Sequence, residues 1–300
     1  MPSTASPKTP APAILAVHGY INSRETQDGF AIEFARRGYV VLALDQTGHG
    51  YSDPPAFANG FGGPAGLSYL RGLDIVDKNN IGLEGHSMGG WTILAAAATM
   101  PDAYQSMVLE GSSTGAPFAA DGTATWPRNL AVVFSKMDEF STLMWAVPRG
   151  ADAPTSPKMQ SVFGSGGTIE VGKVYGSTAD GSARVLYQPW TTHPGDHISN
   201  EAIGDSLQWF GKTLKGGNAL PDSDQVWGWK EFGNFAGFVG MIFFLLGLGS
   251  NLLSLKTFAP LVRAAPDRSH RLLRLGGSAA GLLTQLGSPQ SWPARPVSGA

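Results

Sequence analysis

The 300-residue chain contains no cysteine. Disulfides, thiolate nucleophiles and Cys-ligated zinc or iron–sulfur centres are therefore excluded. Charge is also scarce: 15% of residues are charged, and 21 Lys plus Arg against 23 Asp plus Glu leave a net charge of −2. Such a balance supplies no broad basic field, so no nucleic-acid partner is expected. No internal repeat of roughly 20–50 residues is present, which argues against a solenoid or propeller. What the chain has in plenty is apolar residues, 42%, and glycine, 40 of them.

Residues 1–12 are rich in Pro, Ser and Thr, lack the apolar stretch of a signal peptide, and read as a flexible lead-in. From Ala13 onward short apolar runs recur at 13–17, 39–44, 80–85, 107–111, 130–134 and 183–187, the pattern of strands buried on both faces of a parallel sheet. Helical stretches are expected between them at 26–37, 65–78, 88–99 and 200–215, the last behind a Ser199 cap. Alternating strands and helices predict an α/β fold with a mostly parallel sheet over residues 13–222. The Gly-, Pro-, Ser- and Thr-rich stretch 146–182 reads as a long loop near a site mouth.

Beyond Asp224 the character changes. Residues 232–255 form 24 consecutive positions without a charge, between Glu231 and Lys256. As a helix they would extend about 36 Å, enough to cross a hydrocarbon core of about 30 Å. With flanks 223–263, and with Trp227 and Trp229 suited to an interface, the segment is expected to enter a membrane, with a buried core or dimerisation helix as the alternative. Lys256, Arg263, Arg268, Arg271 and Arg274 place positive charge on its C-terminal side, which predicts that this side is cytoplasmic. No export signal accompanies that orientation, so the side occupied by the N-terminal domain stays open. Residues 264–300 read as a disordered tail.

The strongest local signal is Gly85-His86-Ser87-Met88-Gly89, a G-x-S-x-G between a strand-like and a helix-like stretch. Small residues belong there because the chain turns sharply and leaves the serine exposed at the end of the sheet. A serine hydroxyl is a poor nucleophile alone and needs a base and a group that orients the base. Behind this motif the order is Ser, acid, His. His193, in a loop after a strand, is the first choice for the base and His197 the second; His270 lies beyond the hydrophobic segment. Asp138 is the expected acid, four residues past a strand, with Glu139 and Glu110 as rivals. Donors for a developing oxyanion are expected at the backbone N–H of Met88 and of Tyr20, the latter in the turn His18-Gly19-Tyr20. Tyr20, Trp91 and Trp145 are candidate substrate-binding residues, although core packing suits Trp91 equally. His18, His49 and His86 are expected to shape the site by hydrogen bonds.

With these residues in place the chain resembles the α/β-hydrolase superfamily, and within it bacterial serine esterases and lipases. The likeness rests on HGY at 18–20, DQTGHGYSD at 45–53, GHSMGG at 85–90, KMDEF at 136–140 and TTHPGDH at 191–197, and covers roughly residues 13–215. It implies an α/β-hydrolase fold with little or no cap. It also implies an acyl-enzyme mechanism with Ser87, Asp138 and His193, no metal or organic cofactor, and a small-molecule, lipid or polymeric ester as substrate; an acyltransferase or perhydrolase on the same triad, or a non-catalytic membrane-anchored binding protein of this fold, are the alternative readings. The stretch from His18 to Asp45 is similar to cutinase-type polyester hydrolases, and the intervals of 51 and then 55 residues between Ser87, Asp138 and His193 suit compact enzymes. The added hydrophobic helix is similar to that of membrane-anchored bacterial hydrolases, which implies an inner-membrane location. Only 17 residues precede His18, fewer than in most of the family, which implies an exposed sheet edge.

Overall fold

The computed structural model describes residues 9–115 and 119–262. Two compact units are distinguished, residues 1–234 and 235–300. The first is built on six strands: β1 (Ala11–Val17), β2 (Val40–Leu44), β3 (Val76–His86), β4 (Ser106–Glu110), β5 (Leu130–Val133) and β6 (Arg184–Tyr187). All pairings are parallel, in the order β2-β1-β3-β4-β5-β6. Every residue of β1, β4, β5 and β6 is buried, which explains why these strands read as continuous apolar runs rather than alternating ones. In β2, at one edge of the sheet, all five residues are partly exposed, whereas β6 at the other edge is buried.

Helices cover both faces. Side chains of β1 alternate between them: Ala13, Leu15 and Val17 pack with α2 (Gly63–Gly72) and α3 (Met88–Thr99), while Ile14 packs with α1 (Asp28–Arg36) and α6 (Asn200–Thr213). Helix α6 starts as expected, with Ser199 Oγ accepting from Ala202 N. Helix α2 is shorter than its apolar pattern suggested. It ends at Leu73, whose backbone is extended, and residues from Val76 onward, including the polar Asp77, Lys78 and Asn79, already belong to β3. The stretch expected to be one long loop contains a 3-10 turn (Gly150–Thr155) and α5 (Pro157–Phe163), preceded by the short α4 (Ser141–Trp145). Ser156 caps α5 by accepting from Met159 N, and Pro157 occupies its first position.

The hydrophobic segment is helical from Gly228 to Ser254, α7, and none of its residues is buried. It is long and apolar enough to cross a membrane. Trp227, expected at an interface, instead packs into the first unit beside Phe30, Ile203 and Phe210. Its backbone N–H and that of Val226 both donate to Glu33 Oε1, and its indole N–H meets Asn200 Oδ1 at 2.9 Å. The reason is local: Glu33, buried on α1 and paired with Arg37 at 2.9 Å, needs further donors, and the chain entering α7 supplies them. Of the flexible lead-in expected at 1–12, residues 1–8 lie outside the described residues, as do the basic residues from Arg263 and the tail at 264–300, whereas Ala11 and Pro12 are buried and already belong to β1.

Candidate active site

The chemistry-bearing residues converge at the carboxyl ends of the strands, where an open parallel sheet offers a crevice. Ser87 sits between β3 and α3 with φ 54° and ψ −119°, a strained backbone for a residue with a side chain. Its surroundings enforce the turn. A Cβ on Gly89 would lie 2.1 Å from the carbonyl oxygen of Val17, and one on Gly85 2.4 Å from the carbonyl of Gly89, so both positions need glycine. Ser87 N donates to the Glu110 carbonyl at 2.8 Å, and Ser112 Oγ to the Ser87 carbonyl at 2.7 Å, pinning the turn to β4 and the loop behind it. Ser87 itself is only partly buried and so stays reachable.

Beyond β5 the chain brings in Asp138, nearly buried, and beyond β6 His193. His193 Nδ1 lies 2.8 Å from Asp138 Oδ2, while Asp138 Oδ1 accepts from Phe140 N at 2.8 Å. Two oriented donors on one carboxylate leave it little freedom to rotate. Glu139, a rival for the acid, makes a different contact: its Oε2 accepts from the backbone N of His193 at 2.9 Å. Glu110, the other rival, is fully buried, and its carboxyl accepts from Ser206 Oγ rather than meeting a histidine. Burial raises the Glu110 pKa well above the usual carboxylate range, with the Asp196 and Glu84 carboxylates adding to the shift. His197, the second choice for the base, packs against His86 with tilted rings, 4.0 Å from centroid to centroid. Burial pushes it down to about 4, assisted by the neighbouring His193 and His18.

The turn after β1 is braced from below. The Gln46 backbone N–H donates to His18 Nε2 at 3.1 Å, so His18 carries its proton on Nδ1, 2.7 Å from the Gly19 carbonyl oxygen. Gln46 in turn accepts from Thr92 Oγ1 at 2.5 Å and donates to the His18 carbonyl. Because a trans peptide sets its N–H opposite its C=O, holding the Gly19 carbonyl against His18 turns the Tyr20 N–H the other way. A Cβ on Gly19 would lie 3.2 Å from Ser87 Cβ, which puts this turn directly beside the serine. Met88 opens α3, so its N–H has no acceptor within the helix. Gln46 and Thr92 escaped the sequence reading because nothing in their spacing announces a contact with residue 18.

Of the three aromatics expected near substrate, Tyr20 is 57% exposed and stacks on Phe57 with centroids 6.2 Å apart. With Ile21, Asn22 and His49 these two line an open pocket of about 410 Å³. Trp91 and Trp145 are both buried in the core, Trp145 completely, where it packs edge-on against Phe134. Helices α3 and α4 turn them into the core and away from the open surface. Among the described residues no group of three or more His, Asp or Glu side chains is arranged to hold a metal ion.

Residues 12–140 match a family model described as the alpha/beta hydrolase fold. The fold is that of an α/β hydrolase. A monoacylglycerol lipase of Mycolicibacterium smegmatis is 32% identical over 138 residues, 43% of this chain and 46% of that protein. An uncharacterised Mycobacterium tuberculosis protein is 32% identical over 106 residues, 33% of this chain and 28% of the other. The chain thus spans less than half the length of these relatives. An esterase of Pyrococcus furiosus aligns with a TM-score of 0.48 at 17% identity, covering 69% of this chain and 82% of the other.

Proposed function

We propose that the chain is a serine hydrolase of carboxylic esters that works through an acyl-enzyme. Ser87 is the nucleophile, His193 the general base and Asp138 the group that orients it. The observation that carries this reading is the 2.8 Å contact of His193 Nδ1 with a buried carboxylate, beyond the same carboxyl ends of the strands as a serine held in a strained turn. With Nδ1–H held by Asp138, the lone pair on Nε2 is the one free to take the Ser87 proton. The serine oxygen attacks the ester carbonyl, and the backbone N–H groups of Tyr20 and Met88 hold the resulting oxyanion. His193 then passes its proton to the departing alcohol, and water repeats the cycle on the acyl-Ser87 ester. The exposed pocket beside Tyr20 favours bulky acyl or alcohol groups, lipid and polymeric esters included. Helix α7, with no buried residue, anchors the protein in a membrane in this reading.

Fluorophosphonate labelling of the detergent-solubilised protein, with intact mass and peptide mapping, tests the assignment. A single adduct on Ser87, absent in Ser87→Ala, is expected. A folded protein that takes no adduct and turns over no p-nitrophenyl ester defeats it.

A further inference from the structure

His86, the residue ahead of the candidate nucleophile, is fixed by contacts that the proposed reaction does not itself require. Its Nε2 lies 2.9 Å from the backbone carbonyl oxygen of His193. A carbonyl can only accept, so Nε2 carries the proton and Nδ1 the lone pair. On the Nδ1 side is the oxyanion turn, where a Cβ on Gly19 would come within 3.1 Å of that nitrogen. The His86 ring packs 4.5 Å from that of His193 and 4.0 Å from that of His197, and Phe140 also packs on His193 at 4.6 Å. One buried imidazole therefore touches the turn after β1 and the loop after β6, and the residue that carries it is joined by its peptide bond to Ser87.

Building on the hydrolase reading above, we propose that His86 is a positioning residue that holds the base loop against the nucleophile turn through its Nε2–H bond to the His193 carbonyl. Asp138 orients the His193 ring about its own axis but cannot set where the loop backbone lies relative to Ser87. The His86 bond does so, because residues 86 and 87 are consecutive and move together. The groups facing His86 suit a neutral ring. His193 and His197 pack on it with tilted rings, and among the described residues the one acidic group within 4 Å is Asp196, whose Oδ2 lies 3.8 Å from Nε2 and whose pKa burial holds well above the usual carboxylate range. A neutral His86 adds no positive charge beside the imidazolium that His193 becomes during turnover. Nucleophile and base must be placed to within about 0.5 Å, and a misplacement of about 1 Å costs on the order of 100-fold in rate.

The test compares His86→Gln, whose side-chain amide N–H reaches about as far as Nε2, with His86→Leu, which fills the space without a donor. His86→Asn, polar but too short, replaces the Leu variant should that one fail to fold. In the full-length protein with labelled histidine, the NMR signal of the His193 Nδ1 proton held by Asp138 is expected to persist in wild type and the Gln variant and to broaden or vanish in the Leu or Asn variant. For ester turnover the Leu or Asn variant is expected to lose at least tenfold in kcat with KM within twofold, while Gln stays within threefold of wild type. Equal losses in all variants, or an unchanged His193 signal in a folded Leu or Asn variant, overturn the proposal. The NMR readout does not depend on turnover, so an inactive wild type would defeat the hydrolase reading while this bond is still judged by itself.

Discussion

Replacing Asp138 by Asn changes a few atoms and is expected to disable the site almost completely. The two oxygens of Asp138 have different partners: Oδ1 accepts from Phe140 N, and Oδ2 faces His193 Nδ1, each at 2.8 Å. In Asp138→Asn only one oxygen remains, and Phe140 N, a fixed backbone donor, claims it. The amide NH₂ then faces Nδ1, which must become the acceptor, so the proton of neutral His193 moves to Nε2. A base with its proton already on the nitrogen facing Ser87 cannot take another at neutral pH. The expected loss is about 10⁴-fold in kcat, equivalent to about 5.4 kcal/mol of barrier. Steady-state hydrolysis of a p-nitrophenyl ester at pH 7.5 measures it, with circular dichroism to show that the variant folds. A folded Asn variant that keeps a tenth of wild-type kcat would refute both the assignment of Asp138 and the argument about its two donors.

Replacing His193 by Ala should abolish turnover while His197→Gln leaves most of it; the opposite order would transfer the base to His197. Unfolded, His197 titrates near 6.5, but burial holds it near 4 in the folded chain, so the unfolded state binds the extra proton between these values and stability rises as pH climbs from 4 to 6.5. His197→Gln should flatten that limb of a melting-temperature profile, and an unchanged slope would contradict the burial argument. Asp205, raised to about 8 by burial and by Glu201 and Asp222, costs stability as pH rises from 4 to 8, because the unfolded carboxyl ionises first. Asp205→Asn is therefore expected to raise the melting temperature more at pH 8 than at pH 5, and an equal effect at both would count against it. Truncation after Asn234 keeps Trp227 and should leave a folded, active domain, whereas truncation after Asp222 removes this buried indole at a cost of about 3–5 kcal/mol. Equal melting temperatures for the two fragments would show that Trp227 contributes nothing.

Strands β1, β4, β5 and β6 were legible because their residues are buried on both faces, and burial on both faces leaves a continuous apolar run that needs no partner to be recognised. Ser87 was legible for a related reason: a sharp strand-to-helix turn restricts Gly85 and Gly89 locally, within five residues. Helix α3 followed from the same stretch. What the tertiary structure alone decided depends on residues far apart in the chain. Loop position alone put His193 ahead of His197, four residues later, as the expected base; the contact with Asp138 that separates the two forms only on folding. Trp227 looked like an interfacial anchor by composition, but Glu33, nearly two hundred residues earlier, draws the chain around it inward. The polar start of β3 is invisible as a strand because Asp77, Lys78 and Asn79 are exposed or half-buried and fall in the irregular stretch between the Ala11–Val76 and Ala13–Ile81 pairs, where no buried apolar run marks the strand. The brace of His18, Gln46 and Thr92 has no signature at all, since a buried hydrogen bond is specified by the meeting of three elements. Local pattern records burial and turn geometry; the identity of the partner across a buried hydrogen bond is recorded only when the chain has folded.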